Sequence, residues 1–446
     1  MFANTTLRKR IAAASLAAMT AFSLTACAGG STTAGNDTGS NDGGNTAAGD
    51  ENKIIFWSNH PGSSKDTELE LIEAFEKENP DLDVELVDGG ASYEELAQKF
   101  NAALAGSDLP DVIVASDVTW FNFALNGATT PLDELWEQEN IDYQSYVDTL
   151  REDYSYEGKH YGVPYSRSTN LMYWNTDDLA KAGLPTDRGP ETWEEFDEWA
   201  TKLKDATGNA ALVIPDGSNY LDWYFQGMVW AFGGGYSNEW EPTFSDPKTV
   251  EAGKFLQDQV KKGHIEIATD PTVAFGNGKA SGLLESTGSL GGLTDSATVP
   301  FITTYLPGPG PSAATGGAGL AVPNGISDAR KANAVKFIDF ITNTQNTIKF
   351  TQKTGYMPVR KDALDDPEEK KYLEENPNAE TAIKQLNENT KPQDYARVFV
   401  PGGGKRIGGA LDKITVGGQD VEKVFADLDK ETQQVIDRDI TPNLNK

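Results

Sequence analysis

Strand-like and helix-like patterns alternate along residues 53–114, and no other feature of the sequence constrains the fold as strongly. The strand-like segments are residues 53–57, 84–87 and 111–114. Apolar residues recur at helical spacing between them, first in Leu69, Ile72 and Phe75 and then in Tyr93, Leu96, Phe100 and Leu104. The order strand–helix–strand–helix–strand is typical of a mainly parallel sheet with right-handed crossovers. The pattern therefore predicts an α/β fold.

Ligands of such sheets bind beyond the carboxyl ends of the strands. The residues that follow the three predicted strands are therefore candidates for a binding site: Ser58, Asn59, His60, Gly89, Gly90, Ser116 and Asp117. With 446 residues, the chain is long enough for two packed lobes at roughly 100–200 residues per domain.

The charge balance excludes several classes of partner. The chain has 38 Lys and Arg against 68 Asp and Glu, a formal net charge of −30. A protein this acidic has no basic surface for nucleic acid or for anionic lipid. The single cysteine excludes internal disulfides and cysteine-type zinc sites. The three histidines offer few ligands for a histidine metal site. We therefore expect neither a metal nor a cofactor.

The N-terminal segment accounts for the single cysteine. Basic residues 8–10 precede an apolar run at 11–24, which is about as long as a signal peptide and short for a membrane span. The run ends in Leu-Thr-Ala-Cys, which resembles a bacterial lipobox with Cys27 as the lipidated residue. The alternative is an ordinary signal peptide with an incidental cysteine. Residues 28–52 are almost all small or polar and predict a flexible tether.

Signatures of common enzymes are missing from the sequence. There is no G-x-S-x-G elbow, no Walker loop, no G-x-G-x-x-G after a strand and no H-E-x-x-H. A pair of carboxylates for glycoside hydrolysis stays open, because the chain has many acidic residues. We therefore expect no catalytic residues, and a secreted glycan-processing enzyme is the alternative of another class.

Several segments resemble the extracellular solute-binding proteins of ABC importers, and within that family its glycerol-phosphate-binding branch. They run in order along the chain: Ile-Phe-Trp at 55–57, Phe-Glu-Lys-Glu-Asn-Pro at 75–80, Ser-Thr at 168–169 before Leu-Met-Tyr-Trp-Asn at 171–175, Ser-Thr-Gly-Ser-Leu at 286–290, Gln-Lys-Thr-Gly-Tyr-Met-Pro at 352–358 and Glu-Glu-Asn-Pro-Asn-Ala-Glu-Thr-Ala at 374–382. The resemblance covers residues 53–446.

This resemblance implies a two-lobed periplasmic-binding-protein fold of type II. Each lobe is then a mixed β-sheet flanked by helices, and a hinge lets the lobes close on a ligand. The expected divisions are a signal peptide at 1–26, a tether at 27–52, a first lobe at 53–164 plus 297–350, and a second lobe at 165–296 plus 351–446.

The resemblance also implies the binding residues. Tyr93 and Asp117 would face the glycerol end of the ligand, with Asp117 accepting hydroxyl protons in place of the family's glutamate. The phosphate would be held by Ser168, Ser286, Gly317, Tyr356 and Arg406. The alternatives are a core position for Tyr93, a helix cap for Asp117, turns or caps for both serines, and Lys405 in place of Arg406.

One departure from the family suggests a larger ligand. Ser218 and Leu221 stand where the family has indoles, although Tyr220 and Trp223 are near. Smaller side chains there would leave room beyond the phosphate for the head group of a glycerophosphodiester such as glycerophosphocholine. A neutral sugar remains the alternative, with Trp57, Trp120, Trp174, Trp223 and Trp230 as candidate platforms, although tryptophans more often fill cores.

Together these features predict a lipid-anchored, monomeric substrate-binding protein on the extracytoplasmic face of a bacterial membrane. It would capture glycerol-3-phosphate or a glycerophosphodiester, or else a mono- or oligosaccharide, and deliver it to the transmembrane subunits of an ABC permease. It would contact the membrane only through its lipid anchor.

Overall fold

The computed structural model describes residues 51–106 and 108–444. The predicted signal peptide, Cys27 and nearly all of the tether lie outside the described residues. Within them, no helix combines the length and the apolar character needed to cross a lipid bilayer.

Most strands belong to one mixed sheet. The strands are β1 (Lys53–Ser58), β2 (Asp83–Asp88), β3 (Val112–Ser116), β4 (Ser155–Tyr156), β5 (Lys159–His160), β6 (Val163–Asn175), β7 (Leu212–Pro215), β8 (Ser237–Asn238), β9 (Glu241–Pro242), β10 (Ile265–Ala268), β11 (Gly282–Ser286), β12 (Phe301–Thr304), β13 (Ala313–Ala321) and β14 (Thr390–Lys391). The strand order in the large sheet is β10-β7-β11-β6-β13-β3-β1-β2, with β12 also paired to β6 and β14 to β13.

The helices flank this sheet. They are α1 (Lys65–Glu78), α2 (Tyr93–Ala103), α3 (Trp120–Leu125), α4 (Asp133–Gln138), α5 (Asp148–Glu152), α6 (Thr176–Lys181), α7 (Trp193–Thr207), α8 (Leu221–Ala231), α9 (Pro247–Lys262), α10 (Pro271–Gly276), α11 (Leu290–Ser296), α12 (Asp328–Ile341), α13 (Thr344–Thr354), α14 (Pro367–Glu375), α15 (Pro377–Glu388), α16 (Tyr395–Val398), α17 (Gly403–Thr415) and α18 (Val421–Val435).

The predicted α/β fold is confirmed, and β1 to β3 follow the predicted pattern. Strand β1 pairs in parallel with both β2 and β3, and α1 and α2 make the crossovers. The rest of the sheet is mixed, because β13 runs antiparallel to β3 and β6, and β11 runs antiparallel to β6 but parallel to β7.

Two large hydrophobic cores lie along this sheet. The first packs β1, β3, α1, α2 and α12 around aromatic residues such as Phe56, Phe75 and Phe337. The second packs α7, α8, α9, α17 and α18 around residues such as Trp174 and Phe425. A smaller third core lies beside β11, α10, α11 and α15. The lobe boundaries predicted above stay a prediction.

Strand β6 takes part in both large cores. All thirteen of its residues are buried. Its first half pairs with β13 and supplies Val163 and Tyr165 to the first core, whereas its second half pairs with β11 and β12 and supplies Met172 and Trp174 to the second. Residues near the middle of β6 therefore lie where the two cores meet.

Candidate ligand-binding site

A cavity of about 270 Å³ lies at the carboxyl ends of β3 and β11 and beside the middle of β6 and β13. Elements of both large cores line it, because Tyr93 begins α2 of the first core and Trp223 lies in α8 of the second. Small-molecule sites in proteins usually enclose roughly 300–1,000 Å³. The size of the cavity therefore suits a small metabolite better than an oligosaccharide.

Six of the seven ligand-binding residues predicted from the sequence line this cavity: Tyr93, Asp117, Ser168, Ser286, Gly317 and Tyr356. They come from separate stretches of the chain, so only the folded structure brings them together. Of the strand-end candidates, Ser116 and Asp117 line the cavity, whereas Ser58, Asn59, His60, Gly89 and Gly90 do not.

Arg406 is the predicted residue that does not line the cavity. It lies in α17, its Nη2 donates to the carbonyl oxygen of Pro401 at 2.7 Å, and burial lowers its pKa. Its neighbour Lys405 is exposed and does not line the cavity either. The charged residues that act on the pKa of Arg406 are Glu431, Arg438 and Asp439.

Arg397, which the sequence did not single out, contributes a guanidinium to the cavity wall. It lies in the short helix α16 and is only 4% exposed. Its Nε donates to Asp222 Oδ2 at 2.6 Å and its Nη1 donates to Gln393 Oε1. Its Nη2 has no hydrogen-bond partner in the described part of the chain, so those N–H groups are available to a ligand.

Asp117 supplies a carboxylate that is fixed from two sides. The buried guanidinium of Arg167 donates to Oδ1, and Gln393 Nε2 donates to Oδ2 at 2.7 Å. Arg167 also donates to Asp153 and to the hydroxyl of Tyr154. Each carboxylate oxygen keeps a second lone pair, so Asp117 can still accept hydrogen bonds from ligand hydroxyls.

A second carboxylate, Glu285, also lines the cavity. Burial raises the pKa of Glu285, whereas hydrogen bonds from the hydroxyl of Tyr224 and the backbone N–H of Ser286 act in the opposite direction. Glu285 is therefore more readily protonated than an exposed glutamate, which reduces its repulsion of an anionic ligand.

Hydroxyl and glycine groups face the same cavity. Ser286 accepts from the backbone N–H of Gly288 at 3.1 Å, which leaves its own hydroxyl proton free to be donated. The hydroxyl of Ser168 has no hydrogen-bond partner among the described residues. Gly317 has a φ of 103°, and a Cβ there would lie 1.9 Å from the carbonyl oxygen of Ser166, so only glycine fits.

Aromatic side chains make up much of the cavity wall: Tyr93, Tyr220, Trp223, Tyr224 and Tyr356. Burial raises the pKa of each of these tyrosines, that of Tyr93 to about 12, so their hydroxyls are neutral near pH 7. The hydroxyl of Tyr220 donates to Glu94 Oε2 at 3.2 Å and so links α2 to the residue that precedes α8.

The room that the sequence predicts beyond the phosphate, from the smaller side chains of Ser218 and Leu221, is not formed by these two residues in the structure. Neither residue lines the cavity: Ser218 is exposed and bonds Asp216, whereas Leu221 is fully buried in the second core. Tyr220 and Trp223 form the wall at this place instead. Of the five tryptophans considered as sugar platforms, Trp223 alone lines the cavity.

Comparisons with known proteins agree with this fold. The model of the family "Bacterial extracellular solute-binding protein" matches residues 70–381. The sn-glycerol-3-phosphate-binding periplasmic protein UgpB of Pectobacterium atrosepticum is 26% identical, over 97% of this chain and 96% of its own. UgpB of Escherichia coli K12 is 27% identical, over 86% of this chain and 90% of its own.

Solved structures extend the comparison. The crystal structure of UgpB from Mycobacterium tuberculosis in complex with glycerophosphocholine is 47% identical, with a TM-score of 0.84, and the match covers 87% of this chain and 99% of that one. Maltose-bound MalE3 of T. maritima is 22% identical with a TM-score of 0.75, over 86% and 99%, and so shows likeness of fold alone. On the evidence of sequence, fold and cavity, the chain belongs to the bacterial extracellular solute-binding proteins that serve ABC importers.

Proposed function

We propose that this protein captures a glycerophosphodiester, with glycerophosphocholine as the first candidate, and delivers it to an ABC permease. One observation carries the proposal: a fixed carboxylate, Asp117, and a guanidinium with an unbonded amino group, Arg397, line one small cavity together with free hydroxyls. A carboxylate accepts from the vicinal hydroxyls of glycerol, and a guanidinium donates to phosphate oxygens.

The charge of the cavity favours a diester over the monoester glycerol-3-phosphate. Arg397 is the one cationic side chain among the described residues that line the cavity, and Asp222 already compensates it in part. A phosphomonoester carries about −1.5 to −2 charges near pH 7, whereas a diester carries one. A single, partly compensated guanidinium therefore matches the diester better.

The aromatic wall supports a cationic head group on that diester. Quaternary ammonium groups bind over the faces of tyrosine and tryptophan rings. Tyr93 and Tyr220 have ring centroids 6.3 Å apart, and Trp223 and Tyr224 have centroids 4.9 Å apart. The solved complex of the M. tuberculosis relative with glycerophosphocholine is consistent with such a ligand.

Arg397, rather than Arg406, is the residue that we expect to meet the phosphate. We propose the other roles as the resemblance to the family implies them: the glycerol end of the ligand faces Tyr93 and Asp117, and the phosphate is held by Ser168, Ser286, Gly317 and Tyr356.

A ligand that contacts both Asp117, beside the first core, and Trp223, in the second core, stabilises the closed arrangement of the protein. The permease then recognises that closed form.

Thermal unfolding with three candidate ligands tests the ligand class. Glycerophosphocholine, glycerol-3-phosphate and maltose are added in turn, at one common concentration, to the mature protein. A ligand at 100 times its dissociation constant stabilises the folded state by about 2.7 kcal/mol. We expect the largest increase in melting temperature with glycerophosphocholine. A larger increase with maltose would favour the sugar alternative, and a larger one with glycerol-3-phosphate would contradict the preference for a diester.

Attachment to the membrane through a lipid on Cys27 is part of the proposal. It is supported by the lipobox-like sequence that ends at Cys27. In a bacterial host that processes lipoproteins, the wild-type protein is expected in the membrane fraction and the C27A variant in the soluble extracytoplasmic fraction. Equal membrane association of both proteins would contradict lipid anchoring.

A further inference from the structure

A single side-chain amide connects the two charged groups proposed to hold the ligand. Gln393 Nε2 donates to Asp117 Oδ2 at 2.7 Å, and Gln393 Oε1 accepts from Arg397 Nη1. A carboxylate only accepts and a guanidinium only donates. The amide of Gln393 therefore has one orientation that satisfies both neighbours.

These three residues belong to a longer, mostly buried chain of polar contacts. Its members, in order, are Asp153, Arg167, Asp117, Gln393, Arg397 and Asp222. Arg167 is 1% exposed, Asp222 is 2% exposed and Gln393 is 8% exposed. Buried charges are held in place strongly when each has hydrogen-bonding partners, so the chain restricts the movement of its members.

Gln393 lies between elements that belong to different cores. Asp117 follows β3, whose residues pack in the first core. Arg397 lies in α16, where the adjacent Ala396 packs in the second core. Gln393 comes from the short connection between β14 and α16, and it does not line the cavity itself.

We propose that Gln393 is a positioning residue that sets the separation and orientation of the Asp117 carboxylate and the Arg397 guanidinium, so that one ligand can meet both. This inference rests on the proposed function, because it takes Asp117 and Arg397 to be ligand-binding groups. Groups that are fixed in the bound geometry bind more tightly, since less freedom is lost on association.

The first test removes both hydrogen bonds of Gln393 and keeps the size of the side chain. Q393M is expected to bind glycerophosphocholine about tenfold more weakly than the wild type in calorimetric titration. The matched control is Q259M. Gln259 is also buried and bonds a carboxylate, Asp197 Oδ1 at 2.8 Å, and an imidazole, His264 Nδ1 at 2.8 Å, but it is not part of the cavity. Q259M is expected to bind within twofold of the wild type.

The second test exchanges the acid and the amide. In Q393E two carboxylates face each other, and in D117N two amides do. In D117N/Q393E, the amide now at position 117 can accept from Arg167 and donate to the carboxylate now at position 393. That carboxylate in turn accepts from Arg397, so every contact is restored and the total charge is unchanged. The double variant is expected to bind glycerophosphocholine at least as tightly as the weaker-binding single variant and to melt, without ligand, above both single variants.

The outcomes separate the two proposals. If the wild-type protein binds none of the phosphate compounds, the proposed function fails, while the ligand-free melting temperatures still test the pairing of residues 117 and 393. If the wild type binds glycerophosphocholine and Q393M binds it equally well, the positioning role of Gln393 fails alone. Additive losses of affinity and melting temperature in D117N/Q393E would also overturn it.

Discussion

Gly317 is the residue at which backbone geometry and the cavity are most directly linked. Its φ of 103° lies in the region that favours glycine, and a Cβ would collide with the carbonyl oxygen of Ser166. The neighbouring strand therefore approaches closely enough for Gly317 and Ser168 to line the same cavity. A resemblance to the family pointed to Gly317, but the reason for glycine is visible only in the packing of β6 against β13.

The substitution G317A is expected to destabilise the fold and to weaken ligand binding. Backbone strain of this kind costs on the order of 1–3 kcal/mol, and the clash with Ser166 adds to it. Urea unfolding measures the loss. G183A is the matched control, because Gly183 has a φ of 67° with nothing within 4 Å of a Cβ. Equal destabilisation by both substitutions would show that the close approach to Ser166 contributes nothing.

Asp153 makes the stability of the fold depend on pH. Burial raises its pKa to about 6, although Arg167 acts in the opposite direction. Between about pH 4, near the ordinary aspartate pKa, and pH 6, the Asp153 carboxyl group then binds more protons in the folded state than in the unfolded state. The contribution of Asp153 to the free energy of unfolding therefore decreases as the pH rises through this range.

The substitution D153N is expected to flatten that pH dependence. Its profile of unfolding free energy between pH 4 and pH 6 should fall less steeply than that of the wild type, as measured by urea unfolding at several pH values. D328N is the control, because the side chain of Asp328 is fully exposed at the start of α12. An unchanged slope in D153N would mean that Asp153 titrates alike in both states.

At the scale of elements, β6 shows which part of a strand can be predicted from the sequence and which part cannot. The strand-like pattern at 160–165 leads into the polar residues Ser166 to Thr169 before apolar residues return at 171–174. In the structure one strand, Val163–Asn175, runs through them. Arg167 is buried there because Asp117 and Asp153, which are distant in sequence, neutralise it. Periodicity cannot show such pairing.

The same limit applies to the arginine in the cavity. The resemblance to the family implies Arg406, whereas Arg397 lies in a four-residue helix with no strong pattern. Arg397 is placed by Asp222 and Gln393, and Asp222 lies 175 residues away in the chain. In contrast, the alternation of strands and helices along residues 53–114 is local, and it was predicted correctly.

The contact between α2 and the start of α8 is expected to affect how long a ligand stays bound. Y220F keeps the ring but removes the hydrogen bond to Glu94, so a few-fold faster dissociation of glycerophosphocholine is expected in stopped-flow measurements. Y305F is the matched control, since Tyr305 donates to Glu388 at 2.9 Å outside this cavity. Dissociation rates that are equal in Y220F, Y305F and the wild type would contradict a role for this contact.

At the scale of the whole molecule, the net charge of −30 slows the encounter with anionic ligands at low salt. At physiological salt the Debye length is about 8 Å, so distant acids are largely screened and the lining residues dominate. Glycerophosphocholine carries one negative and one positive charge, so it meets little repulsion from the acidic surface. The lining residues therefore favour a ligand of low net charge, and the acidic surface acts in the same direction only at low salt.

The role of Arg397 is tested most directly by calorimetric titration of the protein with glycerophosphocholine, carried out in parallel on the wild type, R397A and R406A. We expect one binding site in the wild type, loss of binding in R397A and retained binding in R406A, because Arg397 lines the cavity and Arg406 does not. Binding by R397A that equals the wild type, or loss of binding in R406A alone, would contradict it.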